Sequence, residues 1–185
     1  MTDAAARRVL FLLSSARTGG NAGRLAGRVA SGLGPDDVQD WQDLARPPLP
    51  RFEDLRPSAA PPTGRLADLA RAVMAADDVV FAAPVYWYAL PAPAKLFLDH
   101  WSGWLDLPGM GFADALRGKR LWLITTRADP DPQVAEPLER MMRMTAQWLG
   151  MDWRGALHGV ADAPGEIAQD AAWAAAPGFL ALRPA

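Results

Sequence analysis

Short runs of consecutive hydrophobes alternate along the chain with stretches in which hydrophobes recur every three or four positions. Val9, Leu10, Phe11, Leu12 and Leu13 form the first run. Successive strand side chains point to opposite faces, so five apolar residues in a row mark a strand covered on both sides. Residues 14–21 then turn polar and glycine-bearing, and from Ala22 onward Leu25, Val29 and Leu33 recur at helical spacing until Gly34-Pro35 ends the segment. Val38, Trp41 and Leu44 stand among Gln39, Asp40, Gln42 and Asp43, a mixed pattern that fits an edge strand. Six prolines between Ala45 and Thr63 demand a long, stiff surface loop. Leu66, Leu69, Ala70, Val73 and Met74 mark a second helix, and Val79 to Ala83 a second apolar run.

The second half repeats the alternation. Pro91 and Pro93 fit only the first turn of a helix, which Leu96, Phe97, His100, Trp101 and Trp104 continue. A glycine-containing loop over 109–118 leads to the strand Leu121, Trp122, Leu123 and Ile124, followed by a loop over 125–130. Val134, Leu138, Met141, Met142, Thr145, Trp148 and Leu149 predict another helix, Trp153 to Val160 a last strand, and Glu166 to Leu182 a last helix that Pro177 must kink or end. Five strands alternating with five helices imply an α/β fold, a mostly parallel sheet with helices on both faces, built as one domain over residues 1–185. In such sheets ligands bind beyond the carboxyl ends of the strands. The loops at 14–21, 84–90 and 125–130 are therefore the candidate site.

Composition removes several alternatives. Nineteen basic against 21 acidic residues give a net charge of −2, against the basic surface that nucleic acid requires. The absence of cysteine excludes disulfides, thiolate metal sites and a cysteine nucleophile. Two distant histidines give no metal signature. The apolar run after Arg7-Arg8 is too short for a secretory signal, and the uncharged stretch at 79–94 is too short and proline-interrupted to span a membrane, so a cytoplasmic protein is expected. Eight tryptophans fit either a thick core or a slot for a flat ligand.

The first loop offers hydroxyls at Ser14, Ser15 and Thr18, a cation at Arg17, an amide at Asn21 and the open N–H groups of the following helix. These are phosphate-binding parts, although a polar turn with a helix cap has the same composition. The loop lacks the lysine of a nucleoside-triphosphatase loop and does not read G-x-G-x-x-G. The second loop sets Tyr86, Trp87 and Tyr88 in succession where polar residues are usual. It suits either a planar ring resting on Pro84, Val85, Tyr86 and Trp87 or packing against other protein.

Taken together, Ser14-Ser15-Ala16-Arg17-Thr18-Gly19-Gly20-Asn21-Ala22 and the spaced set Pro84, Tyr86, Trp87, Pro91, Lys95 and Asp99 resemble the flavodoxin-like NAD(P)H-dependent FMN and quinone reductases. Leu49-Pro50-Arg51-Phe52-Glu53-Asp54 is similar to a third motif of that family. The resemblance implies a flavodoxin-like three-layer sandwich with strand order 2-1-3-4-5. It implies FMN, with FAD also compatible, and NAD(P)H as co-substrate. Ser15, Arg17, Gly20, Asn21 and Ala22 would line the flavin phosphate, Pro84, Val85, Tyr86 and Trp87 the ring, and Thr125, Thr126 and Arg127 its other side.

The same resemblance implies hydride passage from NAD(P)H through flavin N5 to a quinone-like, nitroaromatic or azo acceptor. No catalytic acid or base is then needed, though Arg127 could stabilise the reduced flavin. Ala22 stands where the family usually has Thr or Ser, removing a phosphate contact worth about 1.5–3 kcal/mol, and the charged, proline-rich loop at 127–132 departs from a commonly glycine-rich one. A homodimer is implied, with Trp101, Trp104 and Phe112 walling the substrate slot or the interface. A flavodoxin-like electron carrier and a flavin-free regulatory or interaction subunit are the alternative readings.

Overall fold

A computed structural model describes residues 6–56 and 60–181. Residues 57–59 of the proline-rich loop and Leu182 lie outside the described residues. Five parallel strands, β1 (Arg8–Leu13), β2 (Val38–Asp43), β3 (Asp78–Pro84), β4 (Arg120–Arg127) and β5 (Asp152–Val160), form one sheet in the order β2-β1-β3-β4-β5. The apolar runs occupy its centre, and their alternation divides the core in two. Leu10, Leu12, Phe81, Leu121 and Leu123 point to one face, where α2 (Gly64–Ala75), α3 (Ala92–Trp104), α4 (Phe112–Leu116) and α5 (Glu136–Leu149) supply Leu69, Phe97, Phe112 and Met142. Val9, Phe11, Val80, Trp122 and Ile124 point to the other, covered by Leu25 and Val29 of α1 (Asn21–Ala30), α6 (Ala171–Ala175) and Phe179. Each buried Leu or Phe of these layers contributes about 1.5–3 kcal/mol by leaving water. Among the described residues no helix is long and apolar enough to cross a membrane.

At the amino end of the sheet a buried carboxylate ties β3 to β4. Asp78 accepts from Arg120 Nε at 2.7 Å, Arg120 Nη2 at 2.6 Å and Trp122 Nε1 at 2.7 Å, and it is fully buried. The Asp78 contact holds the Arg120 guanidinium above its ordinary pKa range. These groups lie opposite the candidate loops and serve the fold.

Several expectations are corrected. The loop at 109–118 contains α4, which begins after Gly111 at φ 65° and buries Phe112 and Leu116 one turn apart. The single carboxyl-terminal helix is three pieces, a 3₁₀ turn at Glu166–Gln169, then α6, then a 3₁₀ turn at Ala176–Ala181. The Asp170 side chain caps α6 by accepting from Ala172 N, which starts a new helix where one continuous helix was expected. Thr125, Thr126 and Arg127 belong to β4 itself, paired to β3 and β5, and only the residues after them form the loop.

The tryptophans divide differently from expectation as well. Trp101 and Trp104 are 2% and 4% exposed, packed edge-on against Phe97 and Phe112 in the core. Trp148, whose place in the helical stripe of residues 134–149 reads as core, is 76% exposed. Leu138, Met142, Ala146 and Leu149 form the buried stripe of α5, and Trp148 projects beside it. Trp122 is core, and Trp41 is a partly covered edge residue stacked on Phe11 at 4.1 Å.

Candidate active site

β1 ends beside β3, and β3 beside β4, with Leu13 opposite Ala82 and Pro84 opposite Thr126. The three candidate loops are therefore neighbours at one end of the sheet. From β1 the chain turns one way to β2 and the other way to β3, so the crevice between the β1 and β3 loops is the switch point where open sheets bind ligands.

The first loop is a compact turn. Ser14 is buried, donating N–H and Oγ–H to Ala82 O at 3.1 and 3.4 Å, and so extends the strand instead of facing a ligand. Ser15 Oγ accepts from Arg17 N at 3.2 Å, and Gly20 N donates to Arg17 O at 3.3 Å. A Cβ on Gly20 would stand 2.5 Å from Ser15 Oγ, so a larger residue here would displace the Ser15 hydroxyl from its place in the turn. No side chain caps α1 and no acidic residue lies in its first turn. Its first N–H groups and the positive end of its dipole face the loop, an arrangement that favours an anion.

Three guanidiniums surround that turn. The Arg17 side chain is exposed and makes no hydrogen bond or ion pair among the described residues. Arg24 Nε donates to Gly19 O at 3.2 Å. Arg46, beyond β2, is held by Asp43 at 3.3 Å and donates to Ser15 O at 3.3 Å and Ala16 O at 3.4 Å. Arg46 was missed because nothing local separates it from the other arginines of the chain. Asn21 reaches the loop, but its side chain is committed. Nδ2 donates to Ala163 O at 3.0 Å and Oδ1 accepts from Gly165 N at 2.9 Å, which clamps α1 to the segment after β5. Glu166 holds that segment in turn, accepting from Asp162 N at 2.8 Å and Ala163 N at 2.9 Å, and these bonds lower its pKa. Ala22 is buried against the core.

The second loop is a tight hairpin. Val85 N donates to Thr126 O at 2.8 Å, and Tyr86 and Ala89 exchange two backbone hydrogen bonds of 3.1 Å each. The residues between them, Trp87 and Tyr88, have φ of 53° and 65°. Such turns normally take Asn-Gly, and a bulky residue in the left-handed region costs roughly 1–2 kcal/mol. Strain of this kind persists where surroundings and function hold it. Its effect here is to lift Trp87 to 92% exposure at the mouth of the crevice, while Leu90 anchors the hairpin in the core. Lys95 and Asp99 pair along α3, a support for the helix that follows.

On the third side, Thr125 and Thr126 are almost fully buried, and Thr125 Oγ1 has no hydrogen-bond partner among the described residues. The Arg127 guanidinium turns back onto Asp131 O and Pro130 O, both at 3.1 Å, and so braces its own loop. Beyond it, His158 Nε2 and Glu139 Oε2 are 2.7 Å apart, so His158 pairs with α5. The crevice thus combines an anion-ready turn with an exposed aromatic hairpin, and these parts fit a phosphorylated planar cofactor such as FMN.

Comparison with known proteins agrees with this fold. Residues 7–177 match the family model described as flavodoxin-like fold. YwqN of Bacillus subtilis, named as an NAD(P)H-dependent FMN-containing oxidoreductase, is 25% identical over 88% of this chain and 90% of its own. A Pseudomonas aeruginosa protein named FMN-dependent NADH:quinone oxidoreductase 3 is 33% identical over 65% of each chain. Among solved structures, one described as the Trp repressor binding protein of Bacillus subtilis superposes with a TM-score of 0.75 at 23% identity, covering 96% of this chain and 99% of that one.

Proposed function

The chain belongs to the flavodoxin-like fold family, and from that premise we propose that it is an FMN-dependent NAD(P)H oxidoreductase that reduces a quinone-like, nitroaromatic or azo acceptor. The observation that carries this reading is the pairing, across the switch point, of the uncapped α1 turn with the strained hairpin that exposes Trp87. The names of the two relatives above support it.

FMN, when bound, supplies two-electron transfer from NAD(P)H to the acceptor. The chain's own work is to bind and orient. Ser15, Arg17 and the first N–H groups of α1 hold the phosphate, with Arg46 fixing the turn from behind. Gly20 and Ala22 let the helix start close to it, and Asn21 contributes its N–H while its amide fastens the neighbouring segment. Pro84, Val85, Tyr86 and Trp87 form the platform for the ring, and the end of β4 at Thr125, Thr126 and Arg127 forms the opposite wall. No side chain has to take or give a proton to the acceptor, so catalysis rests on positioning and electrostatics.

We also propose a homodimer. Between α3 and α5 runs a groove of about 880 Å³ lined by Leu98, Leu105, Met141, Met144 and Trp148, with the buried, unpartnered Trp101 Nε1 at its wall. Apolar surface of this kind, with Trp148 standing out from it, suits a second copy of the chain. The functional reading is tested by steady-state NAD(P)H oxidation with a benzoquinone. Turnover that requires both added FMN and quinone is expected. Absence of FMN-dependent turnover with either nucleotide and any planar acceptor would overturn it.

A further inference from the structure

A second cleft, of about 540 Å³, opens beside the candidate site, between the end of β4, the edge strand β5 and α5. It shares Arg127 with the wall of the flavin crevice and is lined further by Glu136, Arg140 and Arg143 and by the Glu139–His158 pair. The volume lies in the range of small-molecule sites and is far larger than a lone inorganic anion needs.

Its charge arrangement is unusual for a helix surface. Glu136 and Glu139 stand four residues before Arg140 and Arg143, the spacing at which ion pairs usually form along a helix. Glu139 instead reaches across to His158 at 2.7 Å, and among the described residues neither Arg140 nor Arg143 forms an ion pair. Arg127 is already turned onto the carbonyls of its own loop. Two guanidiniums one turn apart, Arg143 in this cleft and Arg140 shared between it and the groove between α3 and α5, are therefore left without a side-chain partner among the described residues in a concave site that meets the crevice at Arg127. Planar guanidiniums suit a phosphate edge-on and an aromatic base face-on. The other cleft near the crevice's flank, at Arg51, Phe52, Glu53 and His100, is about 260 Å³ and carries one arginine beside a glutamate.

We propose that this cleft receives the phosphorylated adenosine end of the pyridine nucleotide, with Arg140 and Arg143 holding the 2′-phosphate, so that the enzyme selects NADPH over NADH. The proposal rests on the reductase reading above. The cleft and the wall of the candidate crevice meet at Arg127, so one extended ligand can occupy both.

The test is calorimetric titration of the FMN-loaded protein with 2′-phospho-ADP-ribose and with ADP-ribose, neither of which can be oxidised. The phosphorylated compound should bind about 30-fold more tightly, as expected for a charge-assisted contact. The Arg140→Gln/Arg143→Gln double variant should bring the two affinities together, with flavin still bound as judged by its quenched fluorescence. Equal affinities in the wild type, no binding of either compound, or a preference that survives the double substitution would overturn the proposal. Reduction of the bound flavin by NADH and NADPH alike would leave the reductase reading standing while the cleft assignment fails. Reduction by neither would remove the reductase reading itself.

Discussion

Arg17 and Trp87 are the two side chains on which the site depends most, and each makes a separable prediction. Arg17 is an exposed cation on the turn before α1, its side chain without a partner among the described residues, and in the proposed site it would meet only the flavin phosphate. Arg17→Ala should weaken FMN about tenfold or more while leaving riboflavin affinity nearly unchanged, measured by quenching of flavin fluorescence. Equal losses for both flavins would move the phosphate elsewhere. Trp87 and Tyr88 both occupy left-handed backbone and are 92% and 56% exposed, so replacing either by glycine relieves strain and gives up little burial. Both variants should gain roughly 1 kcal/mol in chemical denaturation. Trp87→Gly alone should also lower flavin affinity. Retention of full affinity by Trp87→Gly would deny the hairpin its role.

At the scale of elements, the site is held together by contacts far apart in the chain. Asn21 at the start of α1 grips the segment after β5, and Glu166 stiffens that segment by accepting from two backbone N–H groups. Those bonds place the folded pKa of Glu166 below its ordinary value of 4.5. A depressed carboxylate pKa contributes stability above the unfolded value that is lost as the pH falls through the folded one. FMN affinity should therefore decline on acidification below the ordinary glutamate range. Glu166→Gln should flatten that decline relative to wild type in paired titrations.

These pairings also mark the limit of what local pattern can reveal. The apolar runs of β1 and β3, the prolines opening α3 and the aromatic triplet are local features and stand out in the sequence. The Arg46 brace on Ser15 and the Asn21 clamp join residues that only the fold brings together, and nothing in their own neighbourhoods announces them. Trp148 was misplaced for a related reason. Met141, Thr145 and Trp148 recur at helical spacing beside Leu138, Met142, Ala146 and Leu149, and two adjacent stripes on one helix read as a single wide one. Thr125 and Thr126 looked like loop because they are polar, yet β4 needs them to pair with both neighbours.

For the whole molecule, the sheet divides the work between its ends. The amino end buries Asp78 with Arg120 and Trp122 and serves stability, while the carboxyl end leaves an uncapped helix and a strained hairpin open to a ligand. The proposed second copy would sit over the groove between α3 and α5, on the flank carrying Trp148. The wild type should sediment as a dimer and Trp148→Glu as a monomer in analytical ultracentrifugation, because a charge at the centre of an apolar interface is costly to bury. A monomeric wild type would refute the assembly without touching the flavin site. The site itself is tested most directly by adding FMN to the purified protein, removing unbound flavin, and following the visible absorbance of what remains when NADPH or NADH is added without oxygen. The protein should stay yellow with about one FMN per chain, bleach on addition of pyridine nucleotide and regain its colour when a quinone is supplied. A colourless protein after removal of free FMN would contradict the account.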